Sequence, residues 1–347
     1  MQRPPEPDRP SPEPHPGTET RAEARIEAGT ETRTGIEAPA EKAVRRIVRA
    51  ALGGGDVGSA PLPDLRPVEE GGEHFSWWVG ARHVLRLAPD RDATVRQRRE
   101  IRLRDLVRPY VGVPVPVGVA SGTWGSGLGY TLDQRLFGAS GEERPVSAAG
   151  EPDLAGLLSG LRSVPVREAA ALGLPHTPPR SLDRLRAEAE RPARLLAADG
   201  EFDAGRLARL TPHAAGQLTP RAEAVVVHHD LKGEHLLVTD DGRVCGVLDW
   251  TDAVVGDPAE DIGGLALSVG GPAAVRAATL AGSVPRECLR GLWLARCDTV
   301  IRLAARLYGT DDSPLPLLRT QLQRAWEPIL LERLGDVEPE APDPTDD

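Results

Sequence analysis

The sequence has almost no lysine, few cysteines and no long apolar stretch, and each shortage excludes something. Only Lys42 and Lys232 are lysines, so any function that needs a cation elsewhere must use arginine. The three cysteines, Cys245, Cys288 and Cys297, are odd in number and lack metal-ligand spacing, which indicates a reducing compartment without a disulfide framework. No apolar run approaches the roughly 18 residues of a membrane span, and no apolar signal-peptide core is present. We therefore expect a cytoplasmic protein that does not enter a membrane.

Positive charge is also in short supply overall. The 347 residues include 52 Asp and Glu against 42 Lys and Arg, which gives a formal net charge of −10. The basic residues are spread along the chain, whereas a protein that neutralises nucleic-acid phosphates needs them clustered on one face. We therefore expect no nucleic-acid partner. The chain is long enough to bury a large core. As its oligomeric state we expect a monomer or a homodimer.

Composition and periodicity divide the chain into four stretches and predict an α+β fold. Residues 1–38 have too few large aliphatic side chains to offset their ordering entropy and are predicted to be a disordered tail. Residues 39–135 form a small lobe rich in strands, and residues 136–335 form a larger helical lobe. The acidic, proline-rich residues 336–347 are predicted to be a second disordered tail.

Short apolar runs and helical periodicities predict the main elements of the two lobes. Strands are predicted at 75–79, 84–87, 113–119 and 129–133 in the small lobe, and at 224–227 and 244–248 in the large one. Helices are predicted at 93–107, with Asp92 as the N-cap, and at 181–198, 287–308 and 315–334.

The residues with catalytic potential lie at the ends of short apolar runs in the helical lobe. His228 and Asp230 follow the run at 224–227, His235 precedes the next run, and Asp249 ends the run at 244–248. From the residues alone, a metal hydrolase that uses His228, His229, His235 and Asp249 is an alternative, but it gives no reason for the small lobe.

This block resembles the catalytic and metal loops of kinase-like phosphotransferases, and most closely those of the antibiotic phosphotransferases, the aminoglycoside and macrolide kinases. The sequence Asp249-Trp-Thr-Asp-Ala253 is similar to the second motif of that family. The resemblance implies a bilobal protein-kinase-like fold with a nucleotide-binding small lobe and a catalytic, acceptor-binding large lobe. It also implies transfer of the γ-phosphate of ATP or GTP to a hydroxyl group of a small molecule.

The resemblance assigns roles within the large lobe. Asp230 would accept the proton of the acceptor hydroxyl, with His228 and Lys232 beside it in the catalytic loop. His235 and Asp249 would hold a divalent metal ion. The family usually has Asn where this chain has His235, although the macrolide kinases are similar in placing His there. Because Mg²⁺ prefers oxygen ligands, His235 either weakens a magnesium site or admits Mn²⁺.

The resemblance also implies a nucleotide site in the small lobe. No lysine is available on the third strand, where Arg86 takes its place and Glu100 on the following helix is its expected ion-pair partner. A glycine-containing turn would cover the phosphates, and a hinge would face the purine. The residues of these two segments that we assign to the nucleotide are Gly71, Gly72 and Ser76 in the turn and Asp133 and Arg135 in the hinge.

The acceptor is left open by the sequence. An aminoglycoside would need carboxylates such as Glu260 or Asp298, whereas a macrolide would need an apolar groove for which Trp293 and Leu294 are candidates. The family also includes kinases of metabolites such as choline and homoserine. A nucleotide-binding pseudokinase module is an alternative of another class, and the missing lysine is the feature that favours it.

Overall fold

The computed structural model describes residues 39–53, 62–68, 74–220 and 223–330. The tails predicted to be disordered, 1–38 and 336–347, lie outside these residues, as do Gly71 and Gly72 of the predicted phosphate-covering turn.

The first part of the described chain is built around one antiparallel sheet. Its elements in chain order are α1 (Glu41–Ala51), β1 (Leu65–Pro67), β2 (Phe75–Val79), β3 (His83–Leu87), α2 (Arg91–Val107), β4 (Gly118–Trp124) and β5 (Leu128–Gln134). The strands follow the order β1-β2-β3-β5-β4. Ser76 on β2 and Thr131 on β5 flank Arg86 of β3 in the sheet register.

The two faces of this sheet differ in polarity, because neighbouring side chains on a strand point to opposite sides. Phe75, Trp77 and Val79 of β2 are buried in an apolar cluster that includes Val44 and Val48 of α1. The residues between them face the other side of the sheet. On that side Arg86 of β3 is joined by hydrogen bonds to Glu100 of α2.

Helices dominate the rest of the chain. The helices are α3 (Glu151–Ser163), α4 (Val166–Ala171), α5 (Leu182–Ala198), α6 (Pro212–Gln217), α7 (Ala259–Val269), α8 (Gly271–Leu280), α9 (Pro285–Tyr308) and α10 (Leu315–Ala325). The short strands are β6 (Ala139–Ser140), β7 (Val225–Val227), β8 (Leu236–Val238), β9 (Val244–Val247) and β10 (Val254–Gly256). They form one pair, β10-β7, and one triplet, β6-β8-β9. The α+β prediction is confirmed.

Helix α7 lies directly against the loop that follows β7. Asp257 precedes its first turn, and the Asp257 Oδ1 atom accepts a hydrogen bond from the Ala259 amide at 3.0 Å. A Cβ atom at Gly264 would lie 3.2 Å from the amide nitrogen of Leu231, so a larger residue here would push on the loop backbone. Ser268, one turn further on, donates to the Leu231 carbonyl at 2.7 Å. The loop is therefore fixed to the helical core.

Three sequence-based boundaries were wrong. No strand covers 113–119 as predicted, because Pro114 and Pro116 cannot donate to a sheet ladder, and β4 begins only at Gly118. Helix α2 is capped by Asp90 and not by Asp92, since the Asp90 carboxylate accepts from the Ala93 amide at 2.7 Å. Helix α10 ends at Ala325 and not at 334.

The three cysteines all have free thiols, as the sequence predicted. Among the described residues, none of the helices is long and apolar enough to cross a membrane.

Candidate active site

The loop after β7 is held by a buried, neutral histidine. His228 is fully buried, its Nε2–H donates to the Leu248 carbonyl at 2.9 Å, and its Nδ1 accepts from the Asp230 amide at 3.3 Å. Burial is the largest cause that lowers the pKa of His228 to about 4, and nearby His235 adds to it. The neutral ring can therefore keep one donor and one acceptor and fix the backbone at Asp230.

Asp261 at the start of α7 orders the same loop from the other side. Its two carboxylate oxygens accept from the His228 amide at 2.8 Å and the His229 amide at 2.7 Å. His229 has a φ of 69°, in the left-handed region that favours glycine. Burial raises the pKa of Asp261 to about 7, although the two amide hydrogen bonds act against it. Asp261 is thus a structural anchor and not a free acceptor-binding carboxylate.

The carboxylate of Asp230 is partly exposed at the end of this loop. Lys232 Nζ lies 2.7 Å from Asp230 Oδ1, and His235 Nδ1 lies 3.4 Å from Asp230 Oδ2. The stronger bond of His235 is to the main chain, because its Nδ1–H donates to the Asp230 carbonyl oxygen at 2.8 Å. The two residues predicted as base and metal ligand are therefore parts of one hydrogen-bonded loop.

Strand pairing brings Asp249 next to His235. Leu236 of β8 faces Val247 of β9, and the Leu248 amide donates to the His235 carbonyl at 2.8 Å. Asp249 Oδ2 lies 3.8 Å from His235 Nε2, and its backbone has a φ of 52°. Burial acts to raise the pKa of Asp249, but His235, hydrogen bonds from Thr251 and the charge of Arg86 outweigh it and lower the pKa below its ordinary value.

The donor set of His235 and Asp249 fits a divalent metal that is shared with phosphates. Nδ1 of His235 donates to the Asp230 carbonyl, so Nε2, on the side of the Asp249 carboxylate, is the ring nitrogen that would ligate a metal. Within the described part of the chain no group of three or more His, Cys, Asp or Glu side chains is arranged to hold a metal. The pair of one imidazole nitrogen and one carboxylate oxygen suits a divalent ion such as Mn²⁺, and phosphate oxygens and water would complete its coordination.

Arg86 lies in the center of a buried ionic network on the inner face of the sheet. Its Nη2 atom lies 2.9 and 2.8 Å from the two carboxylate oxygens of Glu100 and 3.6 Å from Asp133 Oδ2. Arg104 binds the other oxygen of Asp133 at 2.9 Å. The Glu100 partner expected for Arg86 is therefore present, and Arg86 keeps 17% of its side chain exposed.

The other residues predicted to bind the nucleotide are distributed along the same sheet. Ser76 is half-buried and faces Arg86 across the β2–β3 pair. Asp133 is used by the ionic network. Arg135 follows β5 and lies beside the beginning of β3, because its amide donates to the Arg82 carbonyl. Its guanidinium stacks on Trp78 at 4.2 Å from the ring centroid and on Phe137 at 5.3 Å.

Contacts between α2 and the Asp249 loop were missed by the sequence analysis. Arg99 donates to the Thr251 carbonyl at 3.0 Å, and the Thr251 hydroxyl lies 3.4 Å from Glu100 Oε2. The Thr251 amide in turn lies 3.3 Å from Asp249 Oδ1. No local pattern signals a contact between residues so distant in the chain, although Thr251 belongs to the motif that suggested the metal loop.

Both pairs of residues considered for the acceptor site are already engaged in contacts within the protein. Trp293 and Leu294 are buried in the helical core, so they do not form an open apolar groove together. Glu260 and Asp298 both bind Arg180, through hydrogen bonds of 2.7 to 3.0 Å. A cationic acceptor would have to compete with this internal guanidinium.

Comparison with known proteins gives similarities at the levels of family, sequence and fold. The sequence profile of the phosphotransferase enzyme family (APH) matches residues 64–292. Viomycin phosphotransferase of Streptomyces vinaceus is 31% identical over 182 residues, which cover 48% of this chain and 61% of that protein. The matched segment thus spans less than two thirds of that relative.

Solved structures show the same fold at low sequence identity. A GDP complex of aminoglycoside 2′-phosphotransferase-IIIa superposes with a TM-score of 0.61 at 17% identity, covering 82% of this chain and 98% of that one. A macrolide 2′-phosphotransferase from Brachybacterium faecium superposes with a TM-score of 0.51 at 22% identity, also covering 82% and 98%. The fold class predicted from the sequence is confirmed.

Proposed function

This chain belongs to the phosphotransferase enzyme family, and on that premise we propose that it transfers the γ-phosphate of ATP or GTP to a hydroxyl group of a small molecule. The observation that carries the proposal is the meeting of Asp230, His235 and Asp249 at the ends of three short strands. The distances of 3.4 Å from Asp230 to His235 and 3.8 Å from His235 to Asp249 support the proposal that a base lies beside a pair of metal ligands.

Asp230 is the residue that would receive the acceptor. The acceptor hydroxyl donates its hydrogen bond to the Asp230 carboxylate, and as the new bond from oxygen to phosphorus forms, the proton passes to that carboxylate. The bond from the γ-phosphorus to the leaving diphosphate breaks in line with it. Lys232, paired with Oδ1 of Asp230, supplies positive charge in the same loop. His228 fixes the backbone of Asp230 by accepting a hydrogen bond from its amide.

The other residues would hold the donor. His235 and Asp249 would bind a divalent ion together with the nucleotide phosphates, and that ion would supply neutralisation of phosphate charge when bound. Arg86, oriented by Glu100, would donate to the phosphates from the small lobe. Most of the acceleration would then come from positioning and charge neutralisation, without a covalent intermediate.

We place the acceptor among the antibiotics on which the similar proteins are named as acting. The sequence relative is a viomycin phosphotransferase, and the structural neighbours are aminoglycoside and macrolide phosphotransferases. We propose GTP as well as ATP as the phosphate donor, because one of those neighbours was solved in complex with GDP.

The test is a panel of acceptors assayed for release of ADP and GDP. Purified full-length protein receives ATP or GTP with Mg²⁺ or Mn²⁺, and the panel contains viomycin, aminoglycosides, macrolides, choline and homoserine. We expect turnover with one class of antibiotic and none in the Asp230→Asn variant, which should keep its nucleotide affinity within a few-fold. Turnover retained in Asp230→Asn would contradict the mechanism, and absence of nucleotide binding in the wild type would overturn the function.

A further inference from the structure

His74, the residue directly before β2, is buried, and one of its ring nitrogens has no hydrogen-bond partner among the described residues. His74 has only 6% of its surface exposed. Within the part of the chain that the structure describes, its Nε2 atom has no hydrogen-bond partner and almost no solvent contact. Buried polar atoms are nearly always paired in folded proteins, so an unpaired one calls for an explanation such as an absent ligand.

The position of His74 on the sheet directs it toward the proposed nucleotide site. Side chains alternate along β2, with Phe75 and Trp77 on the apolar side that faces α1. Ser76 therefore belongs to the opposite side, where it pairs directly with Arg86 of β3, and His74 is the residue from which the chain enters the strand. The glycine-containing turn that we expect to cover the phosphates immediately precedes His74 in the sequence.

The charges around His74 are those of the proposed phosphate and metal sites. Burial is the main cause that lowers the pKa of His74 to about 4. Arg86 of β3 and Arg96 of α2 lower it further, while Glu100 of α2 and Asp249 of the metal loop act in the opposite direction. The ring is therefore neutral at physiological pH and carries one N–H and one lone pair.

We propose that His74 binds the phosphates of the donor nucleotide, with Nε2–H donating a hydrogen bond to a phosphate oxygen. The inference rests on the proposed function, since it assigns a further binding residue to the same site. Phosphate oxygens need several donors, and in this chain the small lobe has Arg86 in place of a lysine. A neutral imidazole beside Arg86 adds a directed donor without adding a further buried charge.

The test compares variants of the full-length protein by calorimetric titration with ATP, GTP, ADP and adenosine in the presence of Mg²⁺. His74→Phe keeps an aromatic ring and removes both nitrogens, whereas His74→Gln keeps an N–H donor. His83→Phe is the matched control, because it makes the same change on β3, on the side of the sheet away from Arg86. We expect His74→Phe to raise the Kd of the three nucleotides by about tenfold or more. We expect no change in the Kd of adenosine, recovery of most of the loss in His74→Gln, and no effect in His83→Phe.

Unchanged nucleotide affinity in His74→Phe would overturn the inference, as would an equal loss for adenosine, which has no phosphate. Wild-type protein that binds no nucleotide would overturn the proposed function, and this inference with it. A second measurement covers the case in which His74→Phe does not fold. In protein labelled with ¹⁵N-histidine, the Nε2 resonance of His74 is identified as the one missing from His74→Gln. ADP should shift this resonance in the wild type, and adenosine should not. Absence of that shift would also overturn the inference.

Discussion

Nδ1 of His235 lies 2.8 Å from the main-chain oxygen of Asp230, so the residue proposed as metal ligand is oriented by the residue proposed as base. The bond commits the ring proton to Nδ1 and leaves Nε2 for the side on which Asp249 lies, 3.8 Å away. Metal-bound histidines are commonly fixed in this manner by a carbonyl on the other nitrogen. This geometry supports the proposal that a histidine takes the place of the asparagine found in most of the family.

We expect His235→Asn to change the metal preference of the enzyme toward Mg²⁺. An imidazole nitrogen suits Mn²⁺ better than Mg²⁺, whereas the amide oxygen of asparagine suits Mg²⁺. The half-saturating Mg²⁺ concentration should fall several-fold relative to that of Mn²⁺. Initial rates measured as a function of each metal concentration will check this. An unchanged ratio of the two half-saturating concentrations would remove His235 from the metal site.

Replacement of Arg86 should affect both catalysis and stability. Arg86→Ala is expected to lower kcat/KM for the nucleotide by more than about tenfold, or ~1.4 kcal/mol. It should also destabilise the fold by roughly 3–5 kcal/mol, because it leaves buried Glu100 and Asp133 with less compensating charge. Arg86→Lys should restore part of both losses, since the ammonium still supplies charge.

The control for Arg86 is Arg104→Lys, which disturbs the same network from the opposite side of Asp133. We expect Arg104→Lys to lower the melting temperature while leaving the nucleotide KM near that of the wild type. Steady-state kinetics and thermal unfolding measured on the same preparations will separate the two effects. If both variants change KM to the same extent, the network is structural only and Arg86 does not contact phosphate.

Arg99 is expected to couple α2 to the metal loop. Its hydrogen bond of 3.0 Å to the Thr251 carbonyl holds the loop that carries Asp249, and loss of such a charged bond should lower kcat about five- to tenfold. Arg98→Ala, on the exposed side of the same helix, is the matched control. Nucleotide KM should change less than kcat, because Arg99 does not reach the phosphates in this proposal. Equal kcat values for the two variants would contradict the coupling.

The sequence predicted the short strands that carry the candidate loops, because their signals are local. His228, Asp230 and Asp249 each stand where a short apolar strand ends, and the resemblance supplied their proposed roles. His74 and the contact from Arg99 to the metal loop had no such signal, since they depend on which face of β2 points inward and on how two distant segments meet. The prediction of a strand at 113–119 was wrong for a different reason. It gave more weight to the apolar residues of this segment than to its two prolines.

Replacement of His229 by glycine should stabilise the protein. The φ of 69° at His229 costs a residue with a side chain about 1–2 kcal/mol, whereas glycine adopts it without strain. Allowing for the greater chain entropy of glycine, we expect a gain of roughly 0.5–1 kcal/mol in the free energy of unfolding. Denaturant titration will measure it. His213→Gly, in the first turn of helix α6, is the control and should not gain stability.

The pH dependence of stability should reveal two opposing buried groups. The pKa of His228 is lowered to about 4, so between pH 6.5 and 4 the unfolded chain binds a proton that the folded chain does not. Stability from this residue is therefore lost as the pH falls through that window. The pKa of Asp261 is raised to about 7. Its folded form keeps a proton that the unfolded chain has lost, so its contribution to stability falls as the pH rises from about 4 to 7.

Variants of single groups make this opposition measurable, because the remaining titrations cancel in a comparison with the wild type. Asp261→Asn removes the group that offsets His228, so its free energy of unfolding should fall more steeply on acidification, by about 1.4 kcal/mol per pH unit between pH 6 and 4.5. His74, whose pKa is also lowered to about 4, contributes in the same direction as His228. His74→Phe should therefore make the slope shallower by a similar amount. Denaturant titrations at four or five pH values will give the slopes. Parallel curves for Asp261→Asn and wild type would mean that Asp261 is ionised throughout, with its two amide hydrogen bonds outweighing its burial.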